Sequence, residues 1–115
     1  MRFKWFLIIG LFAVLLAACS QSEGASPGLS DAIKAFQDAG HTIDKEEKPL
    51  VSMVGAKDGV LFYVNNNPVK IYEYESGKSL KAEIKKGDFD FDSINGKLGL
   101  ETNNEEAKEI FSKIK

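Results

Sequence analysis

Two periods of hydrophobic and polar residues divide the chain into predicted strands and helices. Residues 60–64 (VLFYV) and 69–74 (VKIYEY) are rich in β-branched and aromatic residues, which favour strands. The sequence NNNP at residues 65–68 lies between them and is typical of a turn. These segments therefore predict a β-hairpin.

A second hairpin is predicted later in the chain. In residues 88–92 (DFDFD) two phenylalanines alternate with three aspartates, which is the pattern of a strand with one buried face. The Asn-Gly pair at residues 95–96 favours a two-residue turn, and leucines alternate again at residues 98–100 (LGL). Together the hairpins supply four antiparallel strands.

Three segments have the apolar spacing of amphipathic helices. The first covers residues 31–39, after Ser30 as the predicted N-cap, and the second covers residues 79–86. The third follows Asn103, also a predicted N-cap, and carries its apolar stripe along residues 107–114. These helices would cover the apolar side chains of the hairpins.

Residues 50–56 leave two alternatives open. Leu50, Met53 and Val54 recur at the i, i+3, i+4 spacing of a helix, and Pro49 suits a first helical turn. A short helix ending at Gly55 is favoured over a strand. The predicted fold is thus α+β, in the order α-(α)-ββ-α-ββ-α, with a four-stranded antiparallel sheet and helices packed on one face.

The first hairpin is apolar on both of its faces. Val69 and Ile71 point to one side of their strand, whereas Tyr72 and Tyr74 point to the other. Either other elements cover both sides of the hairpin, or one face leaves tyrosines exposed. In the second case Tyr63, Tyr72 and Tyr74 would form a partner-binding patch, because contiguous exposed apolar surface usually marks an interaction site.

The N-terminal segment has the three parts of a secretory signal peptide. Arg2 and Lys4 form a basic start, residues 6–16 are apolar, and Ala17 and Ala18 are small. As a helix, the stretch from Trp5 to Ala18 would reach only about 20 Å, which is short for a hydrocarbon core of about 30 Å.

The sequence Leu16-Ala17-Ala18-Cys19 resembles the lipobox of bacterial lipoproteins. The resemblance covers the first nineteen residues and implies that the thiol of Cys19 receives a diacylglyceryl group, that the signal, residues 1–18, is cut off before the cysteine, and that Cys19 becomes the lipidated N-terminus. Palmitate and other acyl chains would then hold the protein on the extracytoplasmic face of the cell membrane. The resemblance further implies outer-membrane sorting in a Gram-negative host, since Ser20 replaces the aspartate of inner-membrane retention.

The remaining chain divides into a tether and one domain. Residues 19–28 are polar and rich in Ser and Gly, which favours a flexible tether, and residues 29–115 suffice for one small globular domain. In size and layout this part is similar to small lipoproteins of bacteria and their prophages. Without its signal the chain carries 13 Lys and Arg against 17 Asp and Glu, so no nucleic-acid partner is expected.

The residue types that catalysis or a cofactor would require are scarce. His41 is the only histidine and Cys19 the only cysteine, so we expect neither an enzyme nor a cofactor. Asp88, Asp90 and Asp92, with Glu101 on the predicted return strand, are weak candidates for a metal site. They do not match a calcium-binding loop, because that pattern requires glycine at its sixth position and glutamate at its twelfth.

These observations favour a membrane-anchored module that binds another envelope protein or an incoming macromolecule. The alternative is a lipoprotein that binds a small solute or a metal ion through the strand carrying Asp88, Asp90 and Asp92.

Overall fold

The computed structural model describes residues 26–115, so the predicted signal peptide, Cys19 and most of the predicted tether lie outside the described residues. These described residues form three α-helices, one 3-10 helix and four strands. In chain order they are α1 (Leu29–Asp38), the 3-10 helix (Val51–Val54), β1 (Asp58–Val64), β2 (Asn67–Glu73), α2 (Gly77–Gly87), β3 (Ser93–Asn95), β4 (Leu98–Thr102) and α3 (Glu105–Ser112). The predicted α+β class and the order of the elements are confirmed.

All four strands form one antiparallel sheet in the order β1-β2-β4-β3. The two hairpins are joined through their second strands, with Ile71 of β2 opposite Leu100 of β4. This places β2 and β4 in the centre of the sheet, while β1 and the short β3 form its edges.

Both hairpin turns involve residues with positive φ. Asn65 (φ 51°) and Asn66 (φ 69°) adopt the left-handed conformation that asparagine tolerates, so two residues suffice for the turn and β2 begins at Asn67. In the second hairpin Asn95 pairs with Leu98, so the turn lies at residues 96–97, one position later than predicted. Its Gly96 has φ 62°.

The expected strand at residues 88–92 is wrong. Helix α2 continues to Gly87 and ends at Asp88, which adopts the left-handed conformation with φ 58°. The chain then turns back across the sheet, and regular β3 pairing begins only at Ser93. The alternation of the phenylalanines therefore does not come from a strand.

One face of the sheet, here called the front face, carries most of the core. Helices α1 and α3 pack there, and the ring of Phe36 meets that of Phe62 edge-on with centroids 4.8 Å apart. The buried front-face cluster consists of Leu29, Ala32, Ile33, Phe36, Ile43, Val60, Phe62, Val64, Val69, Ile71, Leu98, Leu100, Ala107, Phe111 and Ile114.

The opposite face, here called the back face, has a smaller core of its own. Tyr72 and Tyr74 are buried there with Leu80 of α2, and Val51 and Val54 of the 3-10 helix pack against them. The expectation that all helices lie on one face therefore holds for α1 and α3 but not for α2.

Glycines allow this second cover to approach the sheet closely. Gly59, Tyr72, Gly99 and Ile94 form one cross-strand row on the back face. A β-carbon at Gly99 would lie only 2.5 Å from the ring of Phe91, and one at Gly59 would lie 3.0 Å from side-chain atoms of residues 49 and 51. Tyr72 thus fills the space between two positions where neighbouring elements rest on the backbone.

Two helices begin one or two residues away from the predicted N-caps. Helix α1 has Gly28 at its N-cap, and the backbone N–H of Gly28 donates to the carboxylate of Asp31 at 2.8 Å. Helix α3 is capped by Asn104, whose Oδ1 accepts from the backbone N–H of Ala107 at 2.8 Å.

Candidate functional site

The three candidate tyrosines do not form one surface. Tyr72 is 4% and Tyr74 1% exposed, whereas Tyr63 is 54% exposed. The hypothesis of an exposed patch is therefore wrong for Tyr72 and Tyr74, because α2 and the 3-10 helix cover them. The alternative, that other elements cover both sides of the hairpin, is correct around Tyr72 and Tyr74.

The hydroxyl groups of the two buried tyrosines serve the core. The Tyr74 hydroxyl donates to the backbone carbonyl of Val54 at 2.6 Å and so ties the 3-10 helix to the sheet. Burial, reinforced by the negative charge of Glu83, raises the pKa of Tyr74 to about 12. Burial likewise raises the pKa of Tyr72, with a further contribution from Glu101.

The four candidate carboxylates are each exposed and do not form a metal site. Asp90 Oδ1 accepts from the N–H of the next residue at 2.8 Å, and Asp92 Oδ2 accepts from the N–H of Thr102 at 3.0 Å. Glu101 faces Lys70 at 4.0 Å, and Asp88 is the C-cap of α2. Within residues 26–115, no three His, Cys, Asp or Glu side chains are grouped so as to hold a metal ion.

The single histidine joins three parts of the chain. His41 Nε2 lies 3.0 Å from Glu106 Oε2, and the other oxygen of Glu106 accepts from Asn65 Nδ2 at 3.5 Å. These contacts hold the chain after α1 and the β1–β2 turn against the start of α3. They give His41 a structural role at this corner of the domain.

A groove of about 690 Å³ lies between α1 and residues 45–48. Its lining contains acids and bases that already form pairs. Lys48 Nζ lies 2.8 Å from Asp58 Oδ1. The hydrogen bond from Lys48 is the main cause of the lowered pKa of Asp58. Glu73 Oε2 accepts from the N–H of Leu29 at 3.1 Å. The groove is therefore electrically balanced.

Among residues 26–115, four large hydrophobic side chains are exposed. Leu50 is 70%, Met53 73%, Tyr63 54% and Ile94 40% exposed. The sequence places Leu50 and Met53 on an apolar helical stripe and so suggests that they are buried. A 3-10 helix has three residues per turn, so Leu50 and Met53 share its outer side, while Val51 and Val54 share the inner side.

The chain enters the domain at one end of the sheet, here called the tether end. Ser26 lies against Gly96 in the β3–β4 turn, and the Leu29 N–H donates to Glu73 at the end of β2. The 3-10 helix lies at the same end, because Lys57 N–H donates to the backbone carbonyl of Glu73 at 2.9 Å.

Tyr63 lies at the opposite end of the sheet, here called the far end. It directly precedes the β1–β2 turn, whereas Asp58 at the other end of β1 pairs with Glu73. Tyr63 lies five positions after Asp58 along β1, which is about 16 Å along the sheet. The cover of the back face does not extend over Tyr63, which is paired with Pro68 on the neighbouring strand.

The edge of β1 is partly occupied by the preceding loop. The outward N–H of Leu61 donates to the carbonyl of Glu47 at 3.0 Å. This loop contact ends before Tyr63. The Tyr63 ring at the end of β1 is therefore exposed to solvent. Of the three tyrosines that the sequence singles out as a partner-binding patch, Tyr63 alone has an exposed ring.

Comparisons with known proteins give no information about the site. No family model, no curated protein and no solved structure matches the chain. None of the helices in residues 26–115 combines the length and the apolar character that a membrane span requires.

Proposed function

We propose that the protein is a membrane-anchored lipoprotein that binds another protein of the cell envelope, or an incoming protein, through the far end of its domain. The lipid on Cys19 holds the tether end close to the membrane. The observation that carries the proposal is the position of Tyr63, an exposed aromatic side chain at the end of the sheet opposite the entering tether.

The chemistry of the far end suits a protein partner. A tyrosine ring contributes a large apolar contact at small entropic cost, while its hydroxyl remains hydrated before binding. Asn65 and Asn66 are exposed beside it in a fixed turn, and their side chains supply donors and acceptors. The acidic net charge of the chain disfavours nucleic acid.

The alternative function, binding of a solute or metal ion through Asp88, Asp90 and Asp92, lacks a comparable observation. Two of these carboxylates accept backbone hydrogen bonds of the chain itself, and the third ends a helix. We therefore base the proposal on the far end.

The anchor is tested by the mass of the mature N-terminus. Metabolic labelling with palmitate and mass spectrometry should show a lipid-modified Cys19 at the first position, and the Cys19→Ala variant should lose both the label and membrane association. An unmodified cysteine in a chain that retains residues 1–18 would contradict the anchor.

The binding surface is tested with the lipidated chain in envelope membranes. After chemical cross-linking, Tyr63→Ala should reduce capture of a specific protein by roughly tenfold or more, as expected for an aromatic residue at the centre of an interface. Ile94→Ala is the matched control, because Ile94 is an exposed hydrophobic residue on the other edge strand. Equal loss in both variants, or no loss in either, would contradict the assignment.

A further inference from the structure

We propose that Leu50 and Met53 form a second contact site, whose partner is the lipid surface itself. The 3-10 helix would rest on the bilayer with these two side chains in the interfacial region. This inference rests on the lipid anchor of the proposed function and specifies how the anchored domain is oriented.

The first argument is exposure without a structural cause. Leu50 and Met53 are 70% and 73% exposed, more than the other large hydrophobic residues among those the structure describes. The inner side of the same 3-10 helix is held firmly, since Val51 and Val54 pack on the back-face core and Val54 accepts the Tyr74 hydroxyl. A rigid support thus presents two apolar side chains to solvent.

The second argument is the position of this helix at the tether end. Glu73 accepts from the Leu29 N–H through its side chain and from the Lys57 N–H through its backbone carbonyl. The first helix after the tether and the segment after the 3-10 helix therefore meet at one residue. The tether and the 3-10 helix therefore lie at the same end of the sheet.

The third argument is the length of chain between the lipid and the domain. Cys19 precedes Ser26 by seven residues, which span at most about 25 Å when fully extended. The tether end is thus confined to the immediate neighbourhood of the bilayer, which raises the effective concentration of lipid at Leu50 and Met53.

The chemistry of the two side chains fits the membrane interface. Leucine and methionine enter the boundary between headgroups and acyl chains, where amphipathic elements bury their apolar side by about 5–10 Å. Burial in lipid is driven by the apolar contact, so it requires neither anionic lipid nor low salt. A protein partner at this site would have to fit between the domain and the bilayer.

The experiment uses the lipidated chain in phosphatidylcholine vesicles that contain lipids spin-labelled near the headgroup. Ser52→Cys provides a thiol for an environment-sensitive fluorophore, because Ser52 is exposed between the two apolar residues and the sulfur of Cys19 is occupied by lipid. Asn103→Cys is the matched probe at the far end, where Asn103 is also exposed.

We expect the spin-labelled lipids to quench the Ser52 probe about twofold and to leave the Asn103 probe almost unchanged, as for a segment in the interface. Replacing both apolar residues in the labelled protein (Leu50→Ser with Met53→Ser) should abolish the quenching. High salt should leave it intact. Circular dichroism would verify that the variants remain folded.

Three results would overturn the inference. An anchored protein whose Ser52 probe is unquenched would leave the proposed function intact and remove the lipid contact. A Ser52 probe shielded in envelope membranes but not in pure lipid would assign the site to a protein partner instead. A chain whose Cys19 carries no lipid would overturn both proposals, and mass spectrometry distinguishes this case from the other two.

Discussion

The two faces of the sheet each carry a hydrophobic core, but the two cores differ in their residues and in how far they are covered. The front-face cluster is aliphatic and phenylalanine-rich, and α1 and α3 cover it. The back-face core consists of two tyrosines and a leucine, and its cover reaches only the tether end. The front face accounts for most of the apolar burial, whereas the back face positions the exposed residues at which we place the contacts with lipid and protein.

The largest difference should appear when one aromatic ring is removed from each face. Phe36→Ala on the front face should lower the free energy of unfolding by about 3–5 kcal/mol, because a fully buried ring leaves a cavity. Urea unfolding measures this loss. Phe91→Ala on the back face is the matched change, and it should cost about half as much because Phe91 is only partly buried. Equal losses would contradict the unequal division of the core.

The tyrosines of the back face should make stability sensitive to alkali. The pKa of Tyr74 is about 12 in the folded protein and about 10 in an unfolded chain, so the protonated hydroxyl favours folding. This stability, roughly 3 kcal/mol at most, is fully present below pH 10 and is lost as the pH rises towards 12.

Tyr74→Phe tests this dependence. The variant should lose about 1 kcal/mol at neutral pH, because the carbonyl of Val54 loses its donor. Between pH 10 and 12 its free energy of unfolding should fall less steeply than that of the wild type. Parallel pH profiles from chemical denaturation would exclude Tyr74 as the source of the sensitivity.

The glycines in the cross-strand row of the back face should be sensitive to the addition of a single methyl group. Gly99→Ala should cost about 1–2 kcal/mol, because its β-carbon would collide with the ring of Phe91. In the background of Phe91→Ala the same substitution should cost much less, and thermal unfolding of the four proteins gives the interaction energy. An additive result would show that the ring does not determine the need for glycine.

Local patterns in the sequence predict three of the four strands, the three helices and the presence of two hairpins, but they misplace β3 and do not predict how the back face is covered. The i, i+3, i+4 spacing of Leu50, Met53 and Val54 fits an α-helix with a buried stripe. The segment is only four residues long and forms a 3-10 helix, which moves Leu50 and Met53 to the outside.

The candidate site was only partly predictable for a related reason. Tyr63, Tyr72 and Tyr74 are equivalent in type, and only tertiary cover distinguishes the exposed residue from the buried ones. The three aspartates alternate with phenylalanines as in a strand. Helix α2 nevertheless extends to Gly87 and shifts this segment out of the sheet. Such effects depend on contacts between residues far apart in sequence.

The smallest effect concerns the cap of α3, where adjacent asparagines allow a direct comparison. Asn104→Ala should cost about 1 kcal/mol, because the Ala107 N–H loses its acceptor. Asn103→Ala should change the melting temperature little, since Asn103 is exposed and lies outside the cap. The reverse order of effects would contradict the observed start of the helix.

The central claim is that the two ends of the domain meet different surroundings, and cross-linking in living cells tests it most directly. A photoreactive amino acid would replace Tyr63 or, as the control, Ile94 in the lipidated chain. The account predicts one discrete protein adduct from position 63 and none of that size from position 94. The same adducts from both positions, or none from position 63, would contradict a protein-binding site at the far end.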